Sequence, residues 1–94
     1  MLIGDMEWMD FKLDQAIATY QKALALFERN LDPQHPTLGK ALHNLGLIWD
    51  MKGDHQQALQ LVQRSVAIAK IAFGADHPTY ASFLLSLARI LGQL

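Results

Sequence analysis

The sequence predicts an all-α fold built from repeated helical pairs, and three observations support this prediction. Residues 11–52 and 53–94 align with a period of 42 residues and share ten identities, where composition alone would give about three. Within each period, apolar residues recur at the i, i+3, i+4, i+7 spacing of a helix with one buried face. No segment shows the apolar–polar alternation typical of a half-buried strand.

The predicted helices cover residues 2–10, 12–30, 37–52, 54–73 and 78–93. Between the third and fourth, "KGD" at residues 52–54 interrupts the helical pattern. Gly53 suits the left-handed conformation at a helix end, and Asp54 suits the N-cap of the next helix. Each complete period is therefore a helix, a tight turn and a second, longer helix.

The tripeptide His-Pro-Thr occurs twice, at residues 35–37 and 77–79, one period apart. Both copies precede a predicted helix, where proline fits the first turn because its missing N–H is not needed there. His35 and His77 can cap these helices or bond a loop carbonyl. We interpret the tripeptide as a structural joint, since loop chemistry explains it without a substrate.

At 94 residues the chain is predicted to form one domain: a partial first repeat over 1–36, a second repeat over 37–78 and a partial third over 79–94. The last segment, "ASFLLSLARILGQL", is too apolar to be the polar cap that ends a repeat array. Two explanations stay open: the chain is a fragment of a longer array, or the apolar face pairs with another copy as a homodimer or larger assembly. The predicted self-association face consists of Leu84, Leu87, Ile90 and Leu91.

Composition excludes several function classes. The formal net charge is −1, with 8 Lys+Arg against 9 Asp+Glu, so there is no basic surplus for a nucleic-acid backbone. There is no cysteine for disulfides or thiol catalysis. No run of about 18 uncharged apolar residues predicts a membrane span, and the first residues carry acids where a signal peptide carries cations. We expect a soluble, cytoplasmic protein.

An enzyme is not expected, and no cofactor is implied. The four histidines at positions 35, 43, 55 and 77 invite a metal hypothesis. None of them forms a His-x-x-x-His pair on one helix face, and no cluster of Cys or Glu completes a ligand set. The sequence also has no Gly-rich phosphate loop and no nucleophile elbow.

The repeat unit resembles the tetratricopeptide repeat (TPR). Its pattern of small and large residues is found as Leu42-x-x-Leu45-Gly46-x-x-Trp49, followed by Gly53, Ala58, Val62 and Ser65. The 42-residue period is longer than the usual ~34. This length, the His-Pro joint and "LHNLG" at residues 42–46 are similar to the subtype found in kinesin light chains. The resemblance implies a right-handed superhelix, an α-solenoid of about two and a half repeats.

The resemblance also implies a function: TPR proteins are non-catalytic scaffolds that bind a protein or peptide in a concave groove lined by the first helix of each repeat. By position, the groove residues would be Lys40, His43, Asn44, Leu47 and Met51 in the second repeat, and Ser82, Leu85, Ser86 and Arg89 in the third. Asn44 is the best single candidate, because an amide can pair with both N–H and C=O of an extended peptide. Lys40 and Arg89 could meet carboxylates, although each of these residues could equally be an ordinary solvated helix position.

Overall fold

The computed structural model describes the backbone of residues 2–94 and the side chains of residues 9–94, and it confirms the all-α helical-hairpin solenoid. Four helices follow one another: α1 (Leu2–Asn30), α2 (Pro36–Lys52), α3 (His55–Phe73) and α4 (Pro78–Gly92). Each packs against the next, and α2 and α4 also touch. The predicted bounds of the last three helices agree with these within one residue at each end.

The predicted break between the first two helices was wrong, because α1 is one continuous helix of 29 residues. Phe11 stands at the repeat position that Gly53 occupies one period later. Gly53 ends α2 at φ +100°, a conformation that costs a residue with a Cβ about 1–2 kcal/mol. With phenylalanine there, helical backbone is favoured and the chain does not turn back. The continuous α1 contributes to the elongated shape of the molecule, 47 × 31 × 19 Å.

The turn between α2 and α3 has the predicted chemistry. The N–H of Gly53 donates to the carbonyl of Asp50, and the N–H of Asp54 donates to that of Trp49, which satisfies the last carbonyls of α2. The Asp54 side chain then accepts a hydrogen bond of 3.1 Å from the Gln57 N–H and caps α3. A tight hairpin results.

Both His-Pro-Thr joints are helix caps, as predicted. His35 Nδ1 accepts a hydrogen bond of 3.1 Å from the N–H of Thr37, and His77 Nδ1 accepts one of 3.0 Å from Thr79. Both histidines have extended backbone, and proline follows each as the first helical residue. The two joints therefore share one geometry, which accounts for the recurrence of the tripeptide.

Two apolar clusters hold the helices together. In the first, Leu38, Leu42 and Ile68 join α2 to α3, with Leu24 and Phe27 of α1 packed against them. In the second, Ala58 and Val62 of α3 meet Ile90 of α4, and Trp49 and Leu87 cover them. The hydroxyl of buried Ser65 donates to the carbonyl of Val62 at 2.7 Å, so no hydroxyl is left unpaired inside α3. The core thus runs along α3 and is shared by neighbouring helical pairs.

Candidate partner-binding groove

The candidate site lies where α2 and α4 run side by side, the two helices that begin the second and third repeats. The side chains of Ser82, Ser86 and Arg89 lie along one face of α4, since residues three and four apart are neighbours on a helix. His43 lies opposite them on α2. Its Nε2 is 2.9 Å from the hydroxyl oxygen of Ser86, a hydrogen bond that joins the two helices across the groove.

His43 is fixed between α2 and α4 by a ring stack as well as by this hydrogen bond. Its imidazole lies parallel to the Phe83 ring, with centroids 4.0 Å apart and planes 8° apart. Phe83 is buried, and it lies three residues before Ser86 on the same face of α4. Sequence reasoning missed Phe83 as a site residue, although its position one turn from Ser86 was the signal that could have found it.

Burial lowers the pKa of His43 from its ordinary value of 6.5, and the positive charge of Arg89 acts in the same direction. A hydrogen bond with the Asn44 side chain partly opposes both effects. The lowered pKa favours the neutral imidazole, in which one ring nitrogen carries a proton while the other can accept a hydrogen bond.

The rim of the groove carries positive charge. Lys40 is exposed, and its Nζ lies 5.8 Å from the centroid of the Phe73 ring, within the range of a cation–π contact. Arg89 is exposed on the other helix. The sequence of α4 contains no Asp or Glu, and that of α2 contains only Asp50. The Asp50 carboxylate lies 2.6 Å from His55 Nδ1, beside the α2–α3 turn, so it does not neutralise this rim.

Apolar and amide side chains complete the surface. Asn44 is exposed, Leu47 is half-buried, and Ser82 is exposed, while the Ser86 hydroxyl also lies 3.3 Å from the Ser82 carbonyl. Leu85 and Met51 are 73% and 64% exposed, high values for large apolar side chains. All nine sequence-predicted groove positions belong to α2 or α4, and a hydrogen bond joins two of them, His43 and Ser86.

Only part of the predicted self-association face lies on the surface of the structure. Ile90 is fully buried in the core against Ala58 and Val62, and Leu87 packs against the same cluster. Ile90 was therefore wrongly assigned, whereas Leu87, which is partly buried, lies on the same side of α4 that packs on α3. Leu84 and Leu91 remain on the surface, 39% and 50% exposed.

No metal site is found among the side chains that the structure describes, since no three His, Cys, Asp or Glu residues are grouped closely enough to hold an ion. The four histidines have other contacts: two cap helices, His43 binds Ser86, and His55 pairs with Asp50. None of the helices, within the described residues, is long and apolar enough to cross a membrane.

The helical hairpins of this chain, packed around small residues, have a counterpart among known protein families. A family model described as tetratricopeptide repeat matches residues 1–71, about three quarters of the chain. The chain belongs to the tetratricopeptide repeat family. TPR domains are in general protein–protein interaction scaffolds. A search of curated proteins found no significant match to this TPR chain.

Proposed function

We propose that this TPR chain is a non-catalytic interaction module that binds an extended peptide of a partner protein along the groove between α2 and α4. The observation that carries the proposal is the combination at that groove of a fixed, neutral floor and an unneutralised cationic rim. His43 is held by Phe83 and Ser86, so its surroundings are organised before a ligand arrives. Preorganisation of this kind lowers the entropic cost of binding.

The chemistry of the groove favours a peptide that carries both carboxylates and apolar side chains. Lys40 and Arg89 supply positive charge for charge-assisted hydrogen bonds. Leu85 and Met51 supply exposed apolar surface that gains from being covered. Asn44 can donate to a peptide carbonyl and accept from a peptide N–H.

A finer family assignment belongs to the same proposal. The 42-residue period and the two His-Pro joints support the kinesin-light-chain-like subtype. The joints have a structural reason here, because each places a capped helix at the start of a new pair.

The test uses fluorescein-labelled peptides of about twelve residues, long enough to span a helical groove in an extended conformation. Their Asp, Glu and Leu positions are varied systematically, with Ser-only and Lys-substituted peptides as references, and binding is measured by fluorescence anisotropy. We expect the acidic, leucine-containing members to bind, and Asn44→Ala and Arg89→Glu each to weaken them about tenfold, or about 1.4 kcal/mol.

A matched pair of charge reversals distinguishes peptide binding at the groove from a general effect of the net charge of the protein. Lys40→Glu should weaken binding as Arg89→Glu does, whereas Lys70→Glu, an exposed position on α3, should not. Equal losses in Lys40→Glu and Lys70→Glu would mean that only net charge matters, and would contradict the groove.

Self-association through α4 is the second candidate, and the exposed leucines favour it. Leu84 and Leu91 lie seven residues apart, two turns of the same helix face, and both are exposed. A second copy, or the next helix of a longer array, would cover them. Glutamate at both positions would abolish such an assembly without changing peptide binding, and an unchanged molar mass in that variant would contradict this candidate.

A further inference from the structure

An open depression of about 660 Å³ lies on one face of α1 and is lined in part by Ala16, Thr19 and Tyr20. One period later, the equivalent residues of α3 are Ala58, Leu61 and Val62. Ala58 and Val62 are fully buried, whereas Ala16 and Tyr20 are only partly buried. The same repeat position is thus filled in the second repeat and open in the first.

The residue that fills it in the second repeat is Gly46 of α2. A Cβ built on Gly46 would lie 2.6 Å from Val62 Cγ2, 3.3 Å from the Ala58 carbonyl oxygen and 3.4 Å from Leu61 Cβ. Gly46 therefore rests directly on these three residues. One period earlier the sequence has Gly4, preceded by Ile3 where Leu45 stands. The chain contains both halves of a first hairpin, a glycine-bearing segment and the surface that matches it.

These two halves cannot meet within one copy. Residues 2–10 and the depression belong to the same continuous helix, α1, because Phe11 replaces the glycine that would turn the chain back. Segments that follow one another along a single helix axis cannot pack side by side. The matching segment must come from elsewhere.

We propose that residues 2–10 of a second copy occupy this depression, and that the exchange is reciprocal, giving a two-fold dimer in which the α1 helices cross antiparallel near Phe11. The register supports symmetry: Gly4 opposite residues 16–20 centres the pairing on residues 10–12, so both contacts form at once. A two-fold axis requires such self-complementarity, and exchange of identical elements is a common route to dimers.

The distribution of charge along the chain also favours residues 2–10 of a second copy as the occupant of the depression. Residues 2–10 carry Asp5, Glu7 and Asp10 and no cation. Residues 11–94 hold all 8 Lys+Arg against the 6 remaining acids. An acidic segment therefore meets a net basic body, which steers association and suppresses like-charged alternatives. Phe11, 57% exposed in the single chain, would lie at the centre of the contact.

The experiment uses the absence of cysteine in the chain. A Gly4→Cys/Tyr20→Cys double variant is oxidised and run on a non-reducing gel, beside a Gly4→Cys/Ala25→Cys control on the opposite side of α1. The proposal predicts a covalent dimer for the first pair only, and by light scattering a wild-type mass of twice the 10.5 kDa chain. A monomeric disulfide product, no cross-link, or a wild-type mass of 10.5 kDa at all concentrations would each overturn it.

The Phe11→Gly variant distinguishes this exchanged dimer from a dimer that assembles through α4. With the glycine of the second repeat restored, residues 2–10 can fold back on their own chain. The variant should therefore be monomeric, and when it also carries the Gly4→Cys and Tyr20→Cys substitutions, the disulfide should form within one chain. Phe11→Ala, which keeps the helix, should stay dimeric. A Phe11→Gly variant that remains dimeric without the cross-link would show assembly through another face and would overturn the exchange.

Discussion

Gly46 and Val62 bring α2 and α3 so close together that a Cβ at Gly46 would lie 2.6 Å from Val62 Cγ2. The Val62 side chain has little freedom to move away, because β-branched valine has one strongly preferred side-chain rotamer in a helix. The Ala58 carbonyl oxygen, 3.3 Å away, belongs to the backbone. This contact sets the separation of α2 and α3.

Gly46→Ala should destabilise the fold. Overpacking costs about 1–3 kcal/mol, and the gain in helix propensity returns only about 1 kcal/mol, so we expect a net loss of up to about 2 kcal/mol in urea unfolding. Gly39→Ala is the matched control, since its Cβ would lie 3.0 Å from Ile68 Cγ2 rather than 2.6 Å from Val62 Cγ2, so a smaller displacement relieves the contact. Equal stability of the two variants would contradict the close-packing argument.

Substitutions at the two histidine caps should lower the stability of the fold in a defined order. His35→Ala leaves the Thr37 N–H without its partner and should cost about 0.5–2 kcal/mol, whereas His35→Asn should retain most of the stability because asparagine caps well. At His77 the asparagine variant should lose more than at His35, since the His77 ring also lies 4.8 Å from that of Phe73. Thermal or urea unfolding of the alanine and asparagine variants checks this order, and no loss in His35→Ala would refute the capping role.

The lowered pKa of His43 makes stability depend on pH in a defined direction. Burial disfavours the imidazolium in the folded state, so the unfolded chain binds more protons below its ordinary pKa of about 6.5. The contribution of His43 to stability is therefore complete above that value and is lost progressively as the pH falls below it. The positive charge of Arg89 lowers the pKa of His43 further and adds to the effect.

Urea unfolding between about pH 4.5 and 8 measures this effect in the wild type and in His43→Gln. We expect the stability of the wild type to fall more steeply below about pH 6.5, because glutamine does not titrate and still offers a partner to Ser86. The other histidines are common to both proteins and cancel in the comparison. Parallel curves would show that His43 does not titrate differently in the folded state.

Substitutions at core and surface positions of α4 should differ clearly in how much they lower stability. Ile90→Ala removes a fully buried side chain at the α3–α4 contact and should cost about 2–5 kcal/mol. Leu84→Ala, on the exposed face, should cost less than about 1 kcal/mol. Similar losses at the two sites would mean that α4 docks on α3 with a different face.

The sequence alone determined the local structure of this protein. Helix ends, the Gly53 turn, the Asp54 cap and the two histidine caps depend on interactions between residues close together in the chain, so residue type and spacing suffice to predict them. The family resemblance indicated α2 and α4 as the helices of the candidate groove. The continuous α1 also had a local signal, phenylalanine at the repeat position of Gly53, which the prediction of a break there overlooked.

Only the tertiary structure decided which side of α4 is buried and what His43 contacts. Leu84, Leu87, Ile90 and Leu91 are equally apolar in the sequence, and their exposure differs because α3 covers one side of the helix and leaves the other bare. His43 and Ser86 are 43 residues apart and meet because two helices run side by side. Contacts between distant segments depend on how whole helices pack, and residue spacing along one helix does not specify them.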